Sequence, residues 1–110
     1  MSPLKLTPEL IQEVAGRFKA LAEPARLQIL NCLRSGELTV GELVEETGLG
    51  QANMSKHLQS LHAAGFVDRR KEGLFVYYFL ADKDVSKLCD IMCGRIEQEL
   101  ASRRKAFAAR

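Results

Sequence analysis

The amino-acid sequence predicts a mainly α domain with a single β-hairpin, in the order α-α-α-α-β-β-α. Three observations carry this reading. Apolar residues recur at helical spacing from Leu10 to Leu61. The period changes at Phe66, where two β-rich runs flank a glycine. Helical spacing then returns from Val85 to Leu100.

The first helix begins after Thr7, an N-cap, with Pro8 in the favoured first turn. Its apolar face is Leu10, Ile11, Val14, Phe18 and Leu21. Pro24 ends this helix and opens a second, in which Leu27, Ile29, Leu30, Cys32 and Leu33 leave little polar surface. That composition suits a central helix, closed by Gly36. Thr39 reads as the next N-cap, with Glu42 three residues on as its capping-box partner. Val40, Leu43 and Val44 give a short third helix, stopped by Gly48. A fourth helix runs over about residues 51–64, with Met54, Leu58 and Leu61 inward and Gly65 as its cap.

The runs Phe66-Val67-Asp68-Arg69-Arg70 and Phe75-Val76-Tyr77-Tyr78-Phe79 flank Lys71-Glu72-Gly73-Leu74 and predict a hairpin. Asp82 or Asp84 starts a long last helix with a stripe of Val85, Leu88, Cys89, Met92, Ile96 and Leu100. Two amphipathic helices at opposite ends of a small chain need a cover for their stripes. A symmetric second copy supplies one, so a homodimer is expected.

The chain has 110 residues, 46% hydrophobic and 27% charged, which suits one globular domain over residues 1–110. No run approaches the ~20 apolar residues of a membrane span. The opening Met1 to Lys5 lacks a signal-peptide pattern. A cytoplasmic protein without a membrane partner is expected. Three cysteines do not make a secreted disulfide scaffold. No phosphate loop, nucleophile–base pair or paired-carboxylate motif calls for an enzyme, and none calls for a cofactor.

Net charge is only +2, so its distribution matters more. The third and fourth helices, joined by Thr47-Gly48-Leu49-Gly50, have the form of a helix-turn-helix. From Gln51 onward the fourth helix presents Ala52, Ser55, Lys56 and Gln59 opposite its apolar face. Serine, lysine and glutamine donate or accept at base edges and phosphates, and alanine allows close approach. His57 flanks this face as a candidate phosphate contact. Arg69, Arg70 and Lys71 beside the glycine turn give the cationic tip of a wing that meets phosphate or minor groove. The order of the two features predicts a winged helix-turn-helix that binds duplex DNA. A protein-interaction adaptor on the same scaffold is the competing class.

On these residues the chain resembles the ArsR family of winged-helix repressors. The matching segments are Phe18 to Leu30 without a break, Ser55-Lys56-His57-Leu58-Gln59-Ser60-Leu61 and Ala64-Gly65-Phe66-Val67. Arg70, Gly73 and Tyr77-Tyr78 match the wing. The resemblance implies a homodimer joined through the first and last helices. It also implies repression of a nearby operon, relieved by an inducer. The arsenic-type cysteines are missing, since Glu37-Leu38-Thr39-Val40-Gly41-Glu42-Leu43 stands at the start of the third helix. The zinc-type histidines are missing too, since His57 and His62 both lie in the fourth helix.

Cys89 and Cys93, four apart, share one side of the last helix with Cβ atoms roughly 5–6 Å apart. A disulfide wants about 3.5–4.5 Å. In a branch of the family that responds to sulfide and oxidants, a cysteine of the second helix faces one of the last. Cys32 with Cys89 or Cys93 resembles that pair, offset by one residue. Three readings of the cysteines stand: a thiol or persulfide sensor, a metalloid site of all three thiols, and plain packing.

Overall fold

The computed structural model describes residues 5–108, so Met1 to Leu4, read above as lacking a leader, lie outside it. The elements are α1 (Pro8–Leu21), α2 (Pro24–Leu33), β1 (Leu38–Thr39), α3 (Val40–Thr47), α4 (Gln51–Ala63), β2 (Val67–Glu72), β3 (Phe75–Leu80) and α5 (Asp84–Ala108).

Local chemistry sets most of these boundaries. The Thr7 hydroxyl accepts from Leu10 N–H at 3.2 Å, with Pro8 next in line. Thr39 and Glu42 exchange both capping-box bonds, at 3.0 and 3.2 Å. Gly48, at φ 74°, ends α3 in the left-handed region. α4 ends in a Schellman motif: Phe66 N–H donates to Leu61 C=O and Gly65 N–H to His62 C=O, with Gly65 at φ 83°.

The hairpin is longer than the sequence suggests. Lys71 and Glu72 belong to β2, and Gly73-Leu74 alone make the turn, because Glu72 pairs with Phe75. Only the first turn residue has positive φ, as a II′ turn requires. Helix boundaries differ in detail. α2 ends at Leu33 with Arg34 as its cap, so Gly36 lies beyond the helix and does not close it. α5 begins at Asp84, whose N–H is held by the Asp82 carboxylate at 2.8 Å.

One strand carries no signal in the sequence. β1, only two residues, pairs Leu38 with Tyr78 and Thr39 with Tyr77, giving an antiparallel sheet in the order β1-β3-β2. The observed order is therefore α-α-β-α-α-β-β-α. The architecture remains a mainly α winged helix-turn-helix.

Ile29, Leu30, Leu33, Leu43, Met54, Leu58, Leu61, Phe66, Val67, Tyr78 and Val85 are buried together between the helices and the sheet. The expected apolar faces of α3 and α4 therefore do point inward. The stripes of α1 and α5 do not find cover within one chain. Phe18 is 55% exposed, Met92 63% and Ile96 47%. α5 is fastened at its base by Val85 in the core and by a bidentate Arg34–Asp90 ion pair at 2.8 and 2.9 Å. From Asp90 to Ala108 every residue of α5 is exposed. The radius of gyration is 17.3 Å, against about 13 Å for a compact chain of this length.

Candidate nucleic-acid interface

α4 is seated by Met54, Leu58 and Leu61, all essentially without solvent contact. That seating turns Gln51, Ala52, Ser55, Lys56 and Gln59 outward, where all five are exposed. The turn before it is stitched by Thr47, whose hydroxyl donates to Leu43 C=O at 2.6 Å and accepts from Leu49 N–H at 3.2 Å. Gln28 of α2 reaches the Thr47 carbonyl at 3.5 Å. α3, the turn and α4 thus form one braced unit with a polar outer face of the kind that enters a major groove.

His57 stands differently. It is half-buried, and its Nδ1 accepts from Arg26 Nε at 3.1 Å. The sequence offered it as a phosphate contact, but the ring is engaged with the body of the protein.

Strand alternation splits the wing cations. Arg69 and Lys71 share one side of β2 and Arg70 the other. Arg70 is held from several sides: bidentate to Glu37 just before β1, at 2.6 Å to Glu72, and 4.6 Å over the ring of its cross-strand partner Tyr77. The two carboxylates raise the Arg70 pKa, and Arg70 in turn holds the Glu37 carboxyl below its usual range. The sequence offers Arg70 as a wing cation for phosphate or minor groove. In the fold it braces the wing against the β1 segment. Arg69 stands directly across the strand pair from Tyr78. Among the described residues, Lys56 and Lys71 take part in no ion pair.

The cysteines do not converge. α2 turns Leu27, Leu30, Asn31 and Arg34 toward an apolar groove of ≈ 600 Å³ shared with α1 and α5. Cys89 and Cys93 line that groove, Cys93 exposed and its Sγ 3.9 Å from Glu97. Cys32 is not among the residues lining that groove; it faces the Glu46 side of α2, toward α3. Burial first, and then the Glu46 carboxylate, push its thiol pKa up. The arrangement expected for a Cys32–Cys89 or Cys32–Cys93 pair is therefore absent, and so is a three-thiol cluster. Among the described residues no group of three or more His, Cys, Asp or Glu could hold a metal ion. No described helix is long and apolar enough to cross a membrane.

Sequence reasoning missed Glu23, Arg26, Arg34, Glu37 and Asp90, which make the polar ties between elements. Each depends on a partner distant in the chain or on a helix orientation, and carries no local signal.

Comparison with known proteins agrees with this geometry. Residues 23–69 match the family described as bacterial regulatory protein, arsR family. The biofilm growth-associated repressor of Agrobacterium fabrum is 37% identical over 90 residues, covering 82% of this chain and 77% of that protein. An HTH-type transcriptional regulator of Mycobacterium tuberculosis is 38% identical over 92 residues, 84% of this chain, which spans only 41% of that protein's length. Among solved structures, the homodimeric winged helix-turn-helix DNA-binding domain (fragment 1–100) from Mycobacterium bovis superposes with a TM-score of 0.78. It is 35% identical and covers 91% of this chain and 94% of its own.

Proposed function

This chain belongs to the arsR family of bacterial regulatory proteins and is a DNA-binding transcriptional regulator, not an enzyme; on that premise we propose a cytoplasmic homodimeric repressor with no cofactor. Two copies join through α1 and α5, and residues 1–110 act as a single DNA-binding domain. Each copy lays α4 in a major groove and its wing along the adjacent backbone or minor groove. The observation that carries this is the division of α4, with an apolar side locked in the core and Ala52, Ser55, Lys56 and Gln59 outward. The uncovered α1 and α5 stripes, together with the homodimeric M. bovis domain, support the second copy.

A salt titration tests the interface. Lys56→Ala and Lys71→Ala should each weaken binding to a selected duplex and reduce the slope of log K against log salt by about one. Arg70→Ala should change the slope less, because Glu37 and Glu72 already neutralise that charge. Unchanged slopes in both lysine variants would remove α4 and the wing from the interface.

The finer part of the proposal is release from DNA by thiol chemistry at Cys93, with Cys89 beside it, in the groove that the second copy covers. Its support is the placement of Cys89 and Cys93 on one side of α5, both lining the groove that α5 shares with α1 and α2. The raised pKa of Cys32 and its place across α2 take it out of the pair. Under a persulfide donor, the parent and Cys32→Ser should leave DNA alike while Cys93→Ser stays bound, as read by fluorescence anisotropy. Release of Cys93→Ser like the parent would dismiss this site.

A further inference from the structure

Arg26 lies near the start of α2, with its side chain only 17% exposed. Its guanidinium donates to His57 Nδ1 on α4 at 3.1 Å and to the Ala20 carbonyl at 3.3 Å. The Glu23 carboxylate lies 3.8 Å from Arg26 Nε and 3.5 Å from His57 Nδ1. One guanidinium thus ties the last turn of α1, the entry to α2 and the middle of α4.

Each partner is fitted to this tie. Ala20 C=O is one of the terminal carbonyls of α1, and the residue four ahead is Pro24, which has no N–H to give it. Arg26 supplies the missing donor. An Nε–H that donates to Nδ1 needs that nitrogen unprotonated, so the joint requires the Nε2–H tautomer, with Nδ1 turned to Arg26 and not donating to Glu23. Burial of Met54, Leu58 and Leu61 holds α4 in place, but apolar contact is non-directional. The Arg26–His57 bond adds a directional constraint between α4 and α1.

We propose that Arg26 and His57 form a positioning joint that sets the recognition helix α4 against α1, so that His57 serves operator selectivity without itself touching DNA. This rests on the dimer reading above, in which α1 belongs to the interface. Two recognition helices of a dimer must meet successive major grooves about one helical turn apart. A small change in the angle between α1 and α4 misplaces both. Sequence-independent attraction to phosphates tolerates such an error, because it needs charge and not register.

The test compares a duplex selected by the parent from a random-sequence library with an unselected duplex of equal length. Arg26→Met and His57→Phe should lose about tenfold or more on the selected duplex and less than about twofold on the unselected one. His57→Asn, which keeps an acceptor near the Nδ1 position, should recover most of the loss. Nitrogen-15 imidazole spectra of the parent should show the Nε2–H tautomer, a reading that does not depend on any variant folding. Loss on both duplexes alike, loss on neither, or an Nδ1–H tautomer would overturn the joint. A parent that selects no duplex overturns the DNA reading and the joint with it; a parent that selects one while the variants lose both alike overturns the joint alone.

Discussion

Met92→Glu is expected to give a folded monomer that no longer holds a two-site operator. Met92 is already largely exposed in the single chain, so a carboxylate there costs the isolated fold little. In the proposed dimer the same position lies beneath the partner, along the stripe of Leu88, Ile96 and Leu100. Twofold symmetry buries two carboxylates at once. An unpaired buried charge costs several kcal/mol, and about 1.4 kcal/mol is tenfold, so dimer affinity should fall by at least about a hundredfold. Operator binding then falls further, since a monomer loses the gain from linking two half-sites. Sedimentation equilibrium reads the assembly and circular dichroism the fold. A variant that stays dimeric with full DNA affinity would move the interface away from α5.

The largest loss of stability should come from Leu43→Ala. Leu43 has no solvent-exposed surface and sits in the core cluster with Ile29, Leu58 and Leu61. Truncating a buried leucine costs about 2–5 kcal/mol, a large part of the roughly 5–15 kcal/mol that holds a domain together. Urea denaturation at fixed protomer concentration measures it, because dimerisation adds concentration-dependent stability. Leu74→Ala, at the almost wholly exposed turn of the wing, is the control and should change little. A loss below about 1 kcal/mol for Leu43→Ala would mean that the site collapses without a cavity.

What could be read from the sequence was local chemistry. Thr7 with Pro8, Thr39 with Glu42, Gly48, Gly65 and Gly73 each act on residues within a turn of themselves, and each does what its type dictates. The split faces of α4 were equally legible, because helical period alone separates Met54, Leu58 and Leu61 from Ser55, Lys56 and Gln59. β1 was not, since two residues show no period and its partners Tyr77 and Tyr78 lie far along the chain. The facing of Cys32 was not legible either. α2 is apolar nearly all round, so its pattern does not say which side meets α5 and which meets α3. Arg70 and His57 have residue types that suit DNA contact, yet Glu37 and Arg26 meet them first. Composition finds the charge, and only the fold shows whether it is already taken.

Thr39 is both the last residue of β1, paired to Tyr77 of the wing, and the cap of α3. The backbone that closes the sheet is the backbone that starts the helix. Loss of the β1–β3 pairing would therefore free the backbone of the residue that caps α3, and motion at the base of the wing reaches the first turn of α3. The base of the wing and the start of α3 should show linked protection in native-state hydrogen exchange, while the wing tip, which β1 does not pair, exchanges sooner. The exposed length of α5 lies outside that linkage and exchanges on its own terms until a partner covers it.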